Sequence, residues 1–237
     1  MAVPRPESLL SAPQPQPQPS WQERFEARWE LSRRGAPAPK DPDWGVLYAL
    51  KPFQRNLLRN PNPEGVNTSE PAPSCPPKAP QMSLDLQGTF RGWQMNTELL
   101  AEGKEADFPR YSWSVKQQEV DLLTEGLWVE LLDVYQPDIT VMDWYENSKL
   151  APSVYELHVW LLGSDRLMVI GEFHYVAHEG DQREADKNWH HVSHVFKHYG
   201  PGARFVRFLH KTKCVETPSS FLRTRATDSS VSVQLRD

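Results

Sequence analysis

Between Tyr155 and Leu162 the chain alternates, with Tyr155, Leu157, Val159 and Leu161 set against Glu156, His158, Trp160 and Leu162. A period of two is what a strand needs to bury one face. The same texture returns in "RYSWSVKQQEVDLL", where Tyr111, Trp113 and Val115 share a parity, in "PDITVMDWY", and in "LMVIGEFHYVA" after the turn-like "GSDR". It returns once more at the end, where Val231, Val233 and Leu235 oppose Ser232, Gln234 and Arg236. Short strands separated by turns predict a mainly β chain folded as an antiparallel sandwich. "TEGLWVELLDVYQP" reads as one or two helical turns closed by Pro137.

The first sixty residues follow a different pattern. Trp21, Phe25, Arg28 and Trp29 recur at helical spacing behind Ser20, a residue suited to cap a helix. "DWGVLYALKPFQRNLL" is a second amphipathic piece, ended by Asn60-Pro61 and Pro63. Of the 22 prolines, 17 lie at or before Pro80, including the "PQPQPQP" tract, which lacks the N–H groups that a helix or central strand requires. The expected organisation is a disordered Pro/Gln-rich tail over 1–19, short amphipathic helices and linker over 20–60, and a sandwich domain over 61–237.

"HHVSHVFKHYGPGARFVRFLHK" holds five of the eight histidines, and the spacing of His190, His194 and His198 suggests a helical metal site. The β-branched and aromatic residues Val192, Val195 and Phe196 favour a strand instead. On a strand, His190 and His198 stand roughly 27 Å apart at ~3.4 Å per residue, too far to share an ion. Gly200-Pro201-Gly202 then reads as the turn joining two strands. The acidic stretch "EFHYVAHEGDQREAD" reads as a strand running into a solvated loop, and most tryptophans read as core.

Composition narrows the functional classes. A net charge of -5 and the absence of a basic stripe argue against a nucleic-acid partner. Cys75 and Cys214 have no metal-ligand spacing and suit free thiols in a reducing compartment. The apolar patches are interrupted well short of the ~20 residues of a membrane span. No nucleophile elbow, phosphate-binding glycine loop or paired carboxylates stand out, so the expectation is a binding protein without catalytic residues, cofactor or metal.

In order, "RNLLRNPNPEG", "VDLLTEGLWVELLD", "QPDITVMDWY", "VYELHVWLL", "VSHVFKHYGPGARFVRFLHKTK" and "RATDSSVSVQL" resemble the F-box-associated (FBA) domain, from about Trp44 onward. That family forms the substrate-binding half of sugar-recognising F-box proteins. The resemblance implies a jelly-roll-like sandwich of about ten antiparallel strands, with ligand-binding loops at one end. In sugar-binding members a loop before the last strand carries a Tyr-Trp-Lys trio, and the matching positions here are Thr217, Pro218 and Ser219. Phe108 and Asp143 match two further pocket positions. The flat ring that stacks on the sugar is missing, and the space before Trp44 holds no full F-box. The implied partner is a protein or glycoprotein ligand, in the cytoplasm or, alternatively, at the cell surface. F-box-less members add an implied role in innate cytotoxic-cell recognition and cell proliferation. The other implied role is that of a glycoprotein substrate receptor with ubiquitin-ligase components as partners.

Overall fold

A computed structural model describes residues 18–63, 90–99, 110–146, 155–177, 189–217, 220–223 and 225–236. Nine strands appear among them: β1 Gln94–Leu99, β2 Arg110–Asp121, β3 Asp138–Glu146, β4 Tyr155–Leu162, β5 Val169–Val176, β6 Trp189–Phe196, β7 Phe205–Thr217, β8 Ser220–Arg223 and β9 Ala226–Gln234. They form two antiparallel sheets, one ordered β1-β2-β7-β4-β5 with β8 also on β7, the other ordered β6-β3-β9.

The alternation read from the sequence sets the layers. Tyr155, Leu157, Val159 and Leu161 of β4 pair with Thr212, His210, Phe208 and Val206 of β7, and all eight side chains are buried. Against them lie Ile139 and Val141 of β3, Val192 and Phe196 of β6, and Val231 and Val233 of β9, so the core fills the space between the sheets. β7, at 13 residues, is the spine, with β2 along one side and β4 followed by β8 along the other. The C-terminal strand departs from simple alternation: Ser230 and Ser232 are buried along with Val231 and Val233.

An unpaired edge would leave β9 open to other chains. Residues 54–61 close it. Gln54 N–H donates to Val233 O (3.0 Å), Leu57 N–H to Val231 O (2.7 Å), and Ser229 N–H to Pro61 O (3.2 Å). The Asn56 amide supplies what this proline-containing strip lacks, donating to Ser229 O (2.8 Å) and accepting from Val231 N–H (3.1 Å).

The two helices are α1 Trp21–Trp29 and α2 Trp44–Leu50. α1 begins with a capping box: Ser20 Oγ accepts from Glu23 N–H (3.2 Å) while the Glu23 carboxylate accepts from Ser20 N–H (2.7 Å). Its buried Phe25 and Trp29 open an aromatic chain, with Trp29 edge-on to Phe53 (5.3 Å between centroids) and Phe53 edge-on to Trp128 (6.1 Å). Trp128 Nε1–H donates to Pro37 O at 2.9 Å. The segment 20–60 therefore shares one apolar core with the sheets. The Pro/Gln tract at 1–17 lies outside the described residues.

The strand reading of the histidine-rich stretch holds, since His190 to Phe196 belong to β6. The turn after it does something unexpected. β6 and β7 do not pair; they lie in different sheets, and Gly200-Pro201-Gly202 carries the chain across. Gly200 N–H donates to Gln136 Oε1 (3.1 Å) and Gly202 N–H to Asp133 Oδ1 (2.8 Å), so the turn is fixed to the helical residues 129–135 and their C-cap Gln136 rather than to a facing strand. Arg204 clamps Asp133 with two bonds of 2.8 Å.

Candidate functional site

Along the chain, the loop residues implied by the resemblance flank the end of the larger sheet where β2 begins and β7 finishes. Arg110, the first residue of β2, pairs with Glu216, and Thr217 pairs with Ser220 across the β7–β8 turn. The strand ends leading from Phe108 and into 217–219 thus meet at one rim. Phe108, Pro218 and Ser219 lie outside the described residues, as does the side chain of Thr217.

Asp143 is described, and it lies beneath that rim with no exposed surface. Its Oδ2 accepts from Tyr155 O–H and pairs with His210 Nδ1 at 2.8 Å. Its Oδ1 accepts from Ser229 Oγ–H (2.8 Å) and Trp144 N–H (3.1 Å). One carboxylate therefore ties β3 to β4, β7 and β9. A buried carboxylate is tolerated only where its oxygens are well supplied with donors, and here they are. Burial, first, and the neighbouring carboxylate, second, push the Tyr155 phenol far up, so it remains a donor. Tyr155 lies opposite Thr212, four pairs from Glu216, or about 14 Å at ~3.4 Å per residue.

Aromatic rings enclose this cluster. Tyr145 stacks on Tyr155 (4.2 Å, 7°) and shares a 2.9 Å hydroxyl contact with Tyr175. Trp93 stacks on His210 (5.0 Å, 10°), whose Nε2 is buried without a hydrogen-bond partner among the described residues. Close by, Lys116 is fully buried and its Nζ reaches Thr212 Oγ1 at 3.4 Å. From sequence, Tyr155 reads only as part of an inward strand face, and neither His210 nor Ser229 reads as a site residue. The signal for His210 was available, because it shares the parity of Val206, Phe208 and Thr212 and must therefore point inward.

Other described histidines pack against rings or lie on the outer face of a sheet. His190 stacks on Tyr145 (5.1 Å) and His194 on Phe173 (4.4 Å), with burial lowering the His194 pKa. On the outer face of the larger sheet, His158 Nδ1 meets His174 Nδ1 at 2.8 Å, with Glu156 and Glu172 beside them. Among the described residues no group of three or more His, Cys, Asp or Glu side chains is placed to hold a metal. Among them, too, no helix is long and apolar enough to cross a membrane. Trp93, Trp128 and Trp144 are buried, as the core reading expects, whereas Trp113 and Trp160, expected in the core too, are only half-buried.

Comparison with known proteins identifies the lineage. The family described as "F-box associated region" matches residues 48–233. "F-box only protein 50" of Homo sapiens is 53% identical over 209 residues, covering 88% of this chain and 72% of that one. "F-box only protein 2" of Bos taurus is 33% identical over 215 residues, covering 86% and 67% respectively. Among solved structures, a complex of TmCBM61 with β-1,4-galactotriose overlaps at a TM-score of 0.35 and 11% identity, covering 76% of this chain and 99% of that one, a likeness too loose to inform function. An individual resemblance to nonspecific cytotoxic cell receptor protein 1, which the motifs lead one to expect, is not found among these relatives, which carry F-box only names. The cytotoxic-cell and proliferation roles draw no support from them. By the length of the family match and the identity to these relatives, the chain belongs to the F-box-associated family.

Proposed function

We propose that the chain is a non-enzymatic recognition protein whose sandwich rim binds a glycoprotein, and that it serves as a substrate receptor of a ubiquitin ligase. Membership of the F-box-associated family carries this reading, because its relatives are named F-box only proteins. In it, Phe108, Thr217, Pro218 and Ser219 contact the ligand. Asp143 sits too deep for contact and holds β3, β4, β7 and β9 in register beneath them. No aromatic side chain occurs at 217–219, so the protein surface of the ligand supplies more of the contact than a bare sugar core. The working compartment is the cytoplasm.

Two measurements test this. On an array holding free chitobiose oligosaccharides beside intact glycoproteins, the full chain is expected to retain glycoproteins and to bind chitobiose weakly; strong chitobiose binding would overturn the division of contacts. Purification of the full chain under gentle lysis is expected to bring down the ligase adaptor, and its absence retires the ligase role. Surface biotinylation of intact cells checks the compartment.

A further inference from the structure

At the opposite end of the larger sheet, β2 outruns its neighbour. Among the described residues β1 pairs only with Ser112 to Gln117, so Gln118 to Asp121 have β7 on one side and no described strand on the other. Leu122 N–H donates to Arg204 O across β7. Backbone groups along an antiparallel strand alternate in direction, so those of Glu119 and Asp121 point away from β7 into the open side. Asp121 O accepts from Glu125 N–H. The Glu119 N–H, the Glu119 C=O and the Asp121 N–H have no hydrogen-bond partner among the described residues.

That open side is a cavity of about 320 Å³, walled by Glu119 and Thr124 on one side and by Leu57, Arg59 and Gly92 on the other. The walls are fixed. Gln118 bonds both backbone groups of Arg59, at 3.0 and 2.6 Å, and Trp93 Nε1–H donates to Asn60 O at 2.8 Å. Gly92, at φ +93, leaves space where a Cβ would meet Arg59 Cβ at 3.2 Å. The cavity continues into a second space of about 430 Å³ over Gln94, Gln117 and Arg207.

The carboxylates around the slot are already engaged. Glu119 is held by Arg207 (2.9 Å) and Arg166 (3.4 Å), and Glu125 by Arg55. Asp121 Oδ1 accepts from the N–H groups of Leu123 and Thr124. Arg59 is exposed and has no carboxylate partner among the described residues, so the unmatched charge at the mouth is positive. We infer that this slot is a second binding site, taking an extended peptide segment of a partner protein that adds a short strand beside Gln118 to Asp121 and sets an acidic side chain against Arg59. Main-chain bonds to Glu119 and Asp121 supply the ladder, and Arg59 supplies selectivity, as in other strand-addition sites. The site is separate from the glycan rim and does not depend on it.

The test pans a random dodecapeptide display library against the full chain, with Thr124→Trp, which fills the slot, as control. Expected are peptides enriched on the parent chain alone, free of proline at their centre and carrying Asp or Glu. A synthetic representative should slow hydrogen exchange at the Glu119 and Asp121 amides at least tenfold and bind Arg59→Glu at least tenfold more weakly. The inference falls if nothing is enriched over the control, or if enriched peptides leave those amides unchanged. It also falls if the amides are already protected in the free chain, which would mean that the chain fills its own slot, or if a chitobiose oligosaccharide protects them and peptides do not.

Discussion

Two buried clusters hold this molecule together in opposite ways. Phe25, Trp29, Phe53 and Trp128 meet ring to ring and join the N-terminal helices to the sandwich. Asp143, Tyr155, His210 and Ser229 meet through hydrogen bonds and join four strands beneath the rim. Apolar burial is non-directional, so the first cluster tolerates a change of shape if volume is roughly kept. The second is directional: removing one partner leaves the others buried and unsatisfied, at the full cost of their desolvation. Stability in one region follows volume, and in the other it follows the count of donors and acceptors.

The sharpest test of that contrast is Asp143→Asn, nearly isosteric yet carrying an amide NH₂ where an oxygen accepts from Tyr155 and His210. Each buried group left without its partner costs about 1–3 kcal/mol, and more than one is stranded here, so denaturant unfolding should show a loss above that range. Tyr155→Phe removes one donor and keeps the ring that stacks on Tyr145, so a loss of about 1–3 kcal/mol is expected in the same assay. Phe53→Leu should cost less than about 1.5 kcal/mol if the aromatic cluster answers to volume alone. A larger loss for Phe53→Leu than for Asp143→Asn would invert the comparison.

The smallest effect concerns pH. The Arg204 guanidinium, and after it the Gly202 N–H, hold the Asp133 carboxyl below the ordinary value of 3.8. A carboxyl depressed in the folded state adds stability above its unfolded pKa, and that contribution is lost as pH falls through the folded one. Stability should therefore decline below about pH 4, and Asp133→Asn should flatten that decline while lowering stability modestly at neutral pH. An unchanged acid limb in Asp133→Asn would place the acid sensitivity elsewhere.

Much of the framework was legible because strand periodicity is local. The parity of Tyr155, Leu157, Val159 and Leu161 names the buried face of β4 wherever that strand lies in the fold. The Ser20 cap and the spacing of Phe25 and Trp29 likewise announce α1. The turn at 200–202 was legible as a turn but not as a crossing between sheets, since its fixing points, Asp133 and Gln136, come from some 64 to 69 residues earlier.

The sequence by itself determined the fold class, the inward face of β4 and the family; on β2 the parity of Trp113 and Val115 is the outer one, and Lys116, Gln118 and Val120 pair with the core-facing His210, Phe208 and Val206. Only the tertiary structure decided what Asp143 does, since its side-chain partners lie 12, 67 and 86 residues away and no window along the chain contains them together. The open edge of β2 is likewise invisible in the sequence. It exists because β1 begins only at Gln94, opposite Gln117, while β2 runs on to Asp121, and the length of a pairing is a property of two strands rather than of either one.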